Sequence, residues 1–262
     1  MNGLTIRVEN KTYQNTGTCT LKDIQLDVTP GEFVAIVGPS GAGKSTLLNM
    51  VAGLDKDFEG EITVDNAPLH ATQPLKQIGF MFQESRLMPW MTVLDNLLLV
   101  LGKEQEDKAR ELLRQVHLTD IENHFPGQLS GGMQRRVALA RAFSVEPDLL
   151  LMDEPFMSLD APTAEYLRGL LMDLWSDTKP MVLFVTHYLR EALALADRIV
   201  FLSESPAHVV LDMPVNLERP RSVEDVDVNK LHADLLHLNP HLLSGLVNGK
   251  QWNKASMTEA AS

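Results

Sequence analysis

The run Gly38-Pro39-Ser40-Gly41-Ala42-Gly43-Lys44-Ser45-Thr46 places three glycines, a lysine and three hydroxyls within nine residues. Its spacing, G-x-x-x-x-G-K-[ST], suits the binding of a polyphosphate. The glycines let the backbone fold into a nest whose N–H groups point at phosphate oxygens, and a helix beginning at Lys44 adds its partial positive charge. Lys44, expected in a solvent-facing loop, would neutralise the β- and γ-phosphates, and Ser45 offers a hydroxyl to Mg²⁺.

A second chemical centre lies at Leu149-Leu150-Leu151-Met152-Asp153-Glu154, an apolar strand ending in two carboxylates. At the carboxyl edge of a parallel sheet such groups face a ligand crevice. Asp153 suits magnesium, which prefers hard oxygen donors and keeps much of its water. Glu154 points elsewhere and could orient or deprotonate a water attacking a γ-phosphate.

A third centre is Leu129-Ser130-Gly131-Gly132-Met133-Gln134-Arg135-Arg136, ahead of a helix through Val137–Phe143. Ser130 has N-cap chemistry and the two glycines expose amides at a helix start, so the segment reads either as a second anion site or as an ordinary cap with a basic first turn.

Positioning these groups requires alternating strands and helices. Leu4, Ile6 and Val8 alternate, as do Ile24, Leu26 and Val28, the pattern of half-buried strands. Phe33–Val37 is a continuous apolar run typical of a strand covered on both faces. Helical sequence follows from Lys44 to Ala52, with Gly53 at the C′ position. Shorter strands are predicted around Glu61–Val64 and Ile78–Phe82. From about Glu84 to Gln128 the pattern becomes helical, with Ala109, Leu112, Leu113 and Val116 on one stripe. Strand and helix then alternate: Leu149–Met152, the stripe Leu167, Leu170, Leu171 and Leu174, then Met181–Val185, Tyr188–Ala196 and Arg198–Leu202. This order predicts an α/β fold around a parallel sheet with an inserted helical subdomain at about 84–128 and an antiparallel β part at the N-terminus. One further short helix is expected near Leu231–Leu238 and a loose polar end from Gly249 on.

Composition narrows the function classes. The 262 residues are 44% hydrophobic and 22% charged, which excludes disorder as the main state. Thirty-five acids against 23 Lys and Arg give a net charge of −12, unfavourable for a surface that grips nucleic acid or anionic lipid. The single cysteine, Cys19, excludes an internal disulfide and a multi-cysteine zinc site. No stretch approaches the roughly 18 apolar residues of a membrane span, and the N-terminus lacks a secretory pattern. An intracellular protein is expected.

Together Gly38–Thr46, Leu129–Met133, Asp153-Glu154, Ser158-Leu159-Asp160 and His187 resemble the ATP-binding cassette ATPases, over about residues 4–215. The order is also that of the family: roughly eighty-five residues separate the phosphate loop from the Ser130 segment, and about twenty more lead to the acidic pair. The resemblance implies ATP and Mg²⁺ as ligands. It also implies a head-to-tail dimer in which each ATP lies between one chain's phosphate loop and the second copy's Ser130-Gly131-Gly132. By the same likeness Gln83 approaches Mg²⁺ and the attacking water, His187 contacts the γ-phosphate, and Asp160 lies across the dimer interface, a residue that otherwise reads as the N-cap of the helix through Pro162. Tyr13 resembles the aromatic that stacks on adenine, whereas Phe33 and Tyr166 read as core residues of the same type.

Met133 departs from the Gln or Glu that many members carry, leaving Ser-Gly-Gly intact. With Phe82-Gln83-Glu84 and Leu87-Met88-Pro89-Trp90-Met91-Thr92-Val93 it resembles the importer branch that handles nitrate, sulfonates and taurine. The Leu87–Met91 patch reads equally as core of the helical insertion or as a docking surface for a membrane subunit's helix. The expectation is therefore an ATPase domain over residues 1–220 with a short tail over 221–262. It would work at the cytoplasmic face of the plasma membrane with a second copy of itself, an integral permease and a solute-binding protein, and without nucleic acid. An export or switch complex of the same family stays open. A soluble nucleotide kinase leaves Leu129–Met133 unexplained, and a DNA-maintenance ATPase needs a longer insertion than 84–128.

Overall fold

The structure, a computed structural model, describes residues 3–15, 17–69 and 77–246. The polar end expected from Gly249 lies outside them. In chain order the first elements are β1 (Leu4–Tyr13), β2 (Thr18–Val28), β3 (Phe33–Val37), α1 (Lys44–Val51), β4 (Glu59–Val64) and β5 (Ala67–Pro68). Next come β6 (Ile78–Met81), α2 (Val93–Leu101), α3 (Glu106–Gln115), α4 (Gly131–Ser144), β7 (Leu149–Asp153) and α5 (Ala161–Thr178). The last are β8 (Met181–Thr186), α6 (Leu189–Leu195), β9 (Arg198–Leu202), β10 (Val209–Pro214) and α7 (Val226–Leu238). Two compact units divide the chain, Met1–His70 with Phe184–Ser262 and Ala71–Leu183.

In the first unit β2, β1, β4 and β5 form an antiparallel sheet in that order. The register pairs Leu4 with Val28, Ile6 with Leu26 and Val8 with Ile24, so the alternating apolar residues meet on one buried face. β3 pairs with β9 in parallel, and β9 with β10 antiparallel. Every residue of β3 is buried, as its unbroken apolar sequence requires. The turn before it is pinned by Glu32, whose Oε2 accepts from the Thr29 amide at 2.8 Å and whose Oε1 accepts from Arg198 Nε at 2.6 Å. α6 packs on β3, and α7 packs on α6. Leu21 and Ala207 bridge the two sheets: the Lys22 amide donates to Ala207 O and the Ala207 amide to Thr20 O.

In the second unit β6 and β7 pair in parallel. Helices α2, α3 and α4 pack on one another, α4 also lies against β6, and α5 against α4. The predicted stripes bury as expected, Ala109, Leu112, Leu113 and Val116 from α3 and Leu167, Leu170, Leu171 and Leu174 from α5. The helical reading of 84–128 is too broad. Only Val93–Leu101 and Glu106–Gln115 are α-helical there, because Gly102 caps the first, the backbone turns left-handed at His117 and Asp120, and Pro126 opens a 3₁₀ turn. The tail helix is longer than expected, beginning at Val226. No helix of the described residues is long and apolar enough to cross a membrane.

Candidate functional site

In the first unit the fully buried strand β3 delivers the glycine-rich loop to the start of α1, a helix with no acidic residue in its first turn. Gly43, the residue before the helix, adopts φ +85, and a Cβ there would come within 2.7 Å of Thr20 Cγ2 and 2.9 Å of Leu21 Cδ2. Only glycine fits both the conformation and the contact. Ser40, Gly41 and Ser45 are exposed. Lys44, expected to face solvent, is instead 6% exposed, with Nζ donating to the carbonyls of Gly38 and Pro39 at 2.8 Å each. The ammonium thus satisfies two of the loop's own carbonyls. Ala42 closes the loop by donating to Pro39 O at 3.2 Å.

Tyr13 ends β1, and its hydroxyl lies 3.1 Å from Thr46 Oγ1, in the first turn of α1. The structure therefore joins this candidate to the phosphate loop. Phe33 is core, as read, but Tyr166 is not: it is 43% exposed and hydrogen-bonded to His117 Nδ1. His187 follows β8 and is exposed, its ring centroid 4.0 Å from that of Tyr188. Thr186 holds this turn, accepting from the Tyr188 amide at 3.0 Å and donating to Glu191 Oε2 at 2.8 Å.

In the second unit β7 is buried throughout and ends at Asp153. Glu154 then takes φ +44, a sparsely populated backbone for a side chain of this kind, and Ser158 repeats it at φ +64. Strain of this sort collects at functional sites. Gln83 is exposed, and its Nε2 donates to Met157 Sδ at 3.4 Å, so the Gln83 loop and the turn after the acidic pair meet. Arg135 supports that loop by donating to Phe82 O.

Ser130 caps α4, its Oγ accepting from the Met133 amide at 3.2 Å. The capping bond uses a lone pair and leaves the hydroxyl proton available to an anion, so the two readings of Ser130 are compatible. Gly131 is exposed, and at Gly132 a Cβ would lie 2.6 Å from Thr163 Cγ2 of α5. Asp160 caps α5, and its bonds from the Thr163 hydroxyl and amide hold its carboxyl below the usual carboxylate range.

In the Leu87–Met91 segment Pro89 and Trp90 are exposed and Leu87, Met88 and Met91 are half-buried. Trp90 is 73% exposed, and an open groove of about 590 Å³ beside it is lined by Arg86, Leu87, Pro89, Gly131, Arg135 and Met157 among others. Sequence reasoning missed Asn96, which holds this segment. It is fully buried, its Nδ2 donates to the carbonyls of Met91 and Thr92, and its remaining bonds run to Met88. An Asn within an apolar helical run was the only signal.

Among the described residues no group of three or more His, Cys, Asp or Glu is arranged to hold a metal. Gln83 and Asp153 in the second unit, and Ser45 in the first, each carry an oxygen donor of the kind Mg²⁺ takes beside its own water.

The family model described as ABC transporter matches residues 21–157. The chain is 42% identical over 233 residues to the aliphatic sulfonates import ATP-binding protein SsuB of Bacillus anthracis, covering 87% of this chain and 92% of that one. Its counterpart in Cupriavidus pinatubonensis is 46% identical over 219 residues, covering 84% and 72%. Among solved structures, a dimeric post-hydrolysis state of the ATP-binding cassette MJ0796 bound to ADP and Pi superposes with a TM-score of 0.72 at 35% identity. That match covers 82% of this chain and all of that one.

Proposed function

This chain belongs to the ABC transporter family, and on that premise we propose that it is the ATP-hydrolysing subunit of an importer for small organic anions, aliphatic sulfonates first among them. The observation that carries the cargo class is the 42% identity, across most of both chains, to a protein named for aliphatic sulfonate import. The cassette takes residues 1–220 and the remainder is a short tail.

In this reading Gly38–Thr46 binds the phosphates of ATP, with Lys44 leaving the loop carbonyls for the β- and γ-phosphates, and Tyr13 stacks on adenine. Ser45, Gln83 and Asp153 would hold Mg²⁺ directly or through its water, and the bound ion would supply positive charge to the phosphates. Glu154 takes the proton from the attacking water and His187 contacts the γ-phosphate. Ser130-Gly131-Gly132 of a second copy binds the same ATP from the other side, so hydrolysis is tied to opening and closing of a dimer. The exposed Trp90 and the groove beside it suit a helix of the membrane permease. The assembly is peripheral at the cytoplasmic face and serves a separate solute-binding protein.

Complementation tests this. A bacterium lacking its own sulfonate-importer ATPase should regain growth on an aliphatic sulfonate as sole sulfur source when this chain is supplied with its own permease and binding protein. Rescue of nitrate-dependent growth alone would reassign the cargo.

A further inference from the structure

A buried lysine outside the phosphate loop has no role in the function proposed above. Lys11 is 2% exposed. Its Nζ donates to Asp55 Oδ1 at 2.8 Å and to Asp57 O at 2.6 Å, and it lies 4.7 Å from the centroid of the Tyr13 ring. Asp55 also accepts from the Asp57 amide at 3.1 Å, which fixes the turn that holds the lysine.

A buried ion pair is a weak source of stability, since apolar residues of similar volume commonly replace one without loss. The charge at position 11 therefore calls for another explanation, and its surroundings offer one. Asp55 and Asp57 lie in the segment leaving α1, while the Tyr13 hydroxyl meets Thr46 in the first turn of α1. Tyr13 is thus tied to the beginning of the phosphate-binding helix directly and to its far end through Lys11. The ammonium lies over a ring that is still 37% exposed.

We propose that Lys11 is a positioning residue of the base subsite: it backs the Tyr13 ring and holds it at a fixed place relative to the phosphate loop. A cation over one face withdraws the ring's electron density and favours an electron-rich purine on the opposite face. The proposal rests on Tyr13 being the base-stacking residue.

The test measures equilibrium binding of ATP and of inorganic tripolyphosphate, each with Mg²⁺, to the full chain. Lys11→Met should weaken ATP about tenfold, the scale of a desolvated cation–π contact plus a lost anchor, and leave tripolyphosphate within about twofold. The pair Lys11→Met/Asp55→Asn leaves no uncompensated buried charge and should behave alike even where the single variant folds poorly. Lys11→Arg, which keeps a cation against the ring, should stay within about twofold of the native ATP affinity. In a Tyr13→Leu background Lys11→Met should add less than about twofold, because the lysine acts through the ring. An equal ATP loss in that background, a parallel loss of tripolyphosphate, or no loss at all would overturn the role of Lys11. Should Tyr13→Leu itself leave ATP affinity unchanged while Lys44→Ala abolishes it, the stacking role of Tyr13 is wrong and the proposal goes with it.

Discussion

Asn96 grips Met88 by both of its backbone groups: its Oδ1 accepts from the Met88 amide at 2.7 Å and its Nδ2 donates to the Met88 carbonyl at 3.2 Å. A residue of α2 thereby fixes a loop eight positions earlier, and with it the exposed Trp90. Asn96→Leu would take away the partner of the half-buried Met88 amide and leave the Met88 carbonyl only the Met91 amide. We expect a loss of about 1–3 kcal/mol in urea unfolding, from lost hydrogen bonds and one half-buried amide left without its partner. A loss below about 1 kcal/mol would mean that the loop holds itself.

The buried position of Lys44 changes what its removal should do. Lys44→Ala should reduce ATP affinity at least about 100-fold, since two charge-assisted contacts are lost at about 1.5–3 kcal/mol each. It should also cost measurable stability, because the Gly38 carbonyl loses its lysine donor and the Pro39 carbonyl is left with the Ala42 amide. Nucleotide titration with circular dichroism separates the two effects, and normal ATP turnover would sink the assignment of the loop.

Two glycines of that loop should differ. Both Gly41 and Gly43 have positive φ, +79 and +85, but a Cβ at Gly41 meets nothing within 4 Å while one at Gly43 collides with Thr20 and Leu21. Gly41→Ala should cost only the backbone strain, about 1–2 kcal/mol, and Gly43→Ala clearly more. Thermal unfolding of the pair decides it, equal losses counting against the contact.

Glu154→Gln keeps the size of the side chain and removes the proposed base. On the proposed role hydrolysis should fall at least about 10²-fold while ATP affinity holds or rises, since the charge removed has the sign of the phosphates. With turnover blocked, ATP should hold two copies together by light scattering. A variant that stays monomeric at saturating MgATP would contradict the shared nucleotide.

The pH dependence of the first unit should show Glu32. Burial pushes its carboxyl up, but bonds from Arg198 and Thr29 outweigh this and leave it below the usual carboxylate range. A carboxyl lowered by folding stabilises above its unfolded pKa, about 4.3, and loses that contribution as pH falls through the folded value. Glu32→Gln should therefore cost about 1–3 kcal/mol at pH 7 and progressively less below about pH 4. A cost that does not change between pH 7 and pH 3 would exclude the ion pair as its source.

The strands of the first unit were legible because apolar alternation and the unbroken run Phe33–Val37 each have one simple reading. The glycines and Lys44 were legible by spacing, though not the burial of Lys44, which depends on carbonyls that turn back toward it. Lys11 was invisible for a different reason. The pairing of β1 shifts register between Val8 and Asn10 with β4 and between Lys11 and Thr12 with β2, so strict alternation fails at that end of the strand. The helical reading of 84–128 failed at Met88 and His117, where side-chain bonds and left-handed backbone, not periodicity, decide the path.

The 2.6 Å approach at Gly132 has a mechanical meaning. It brings the first turn of α4 against that of α5, and those turns are capped by Ser130 and Asp160. With no side chain between them, the two helix starts are packed closely enough that a tilt of one meets the other. Sequence drift is constrained in the same way. Position 163 can shrink to serine, which keeps the hydroxyl that bonds Asp160, whereas a side chain at position 132 would push on Thr163.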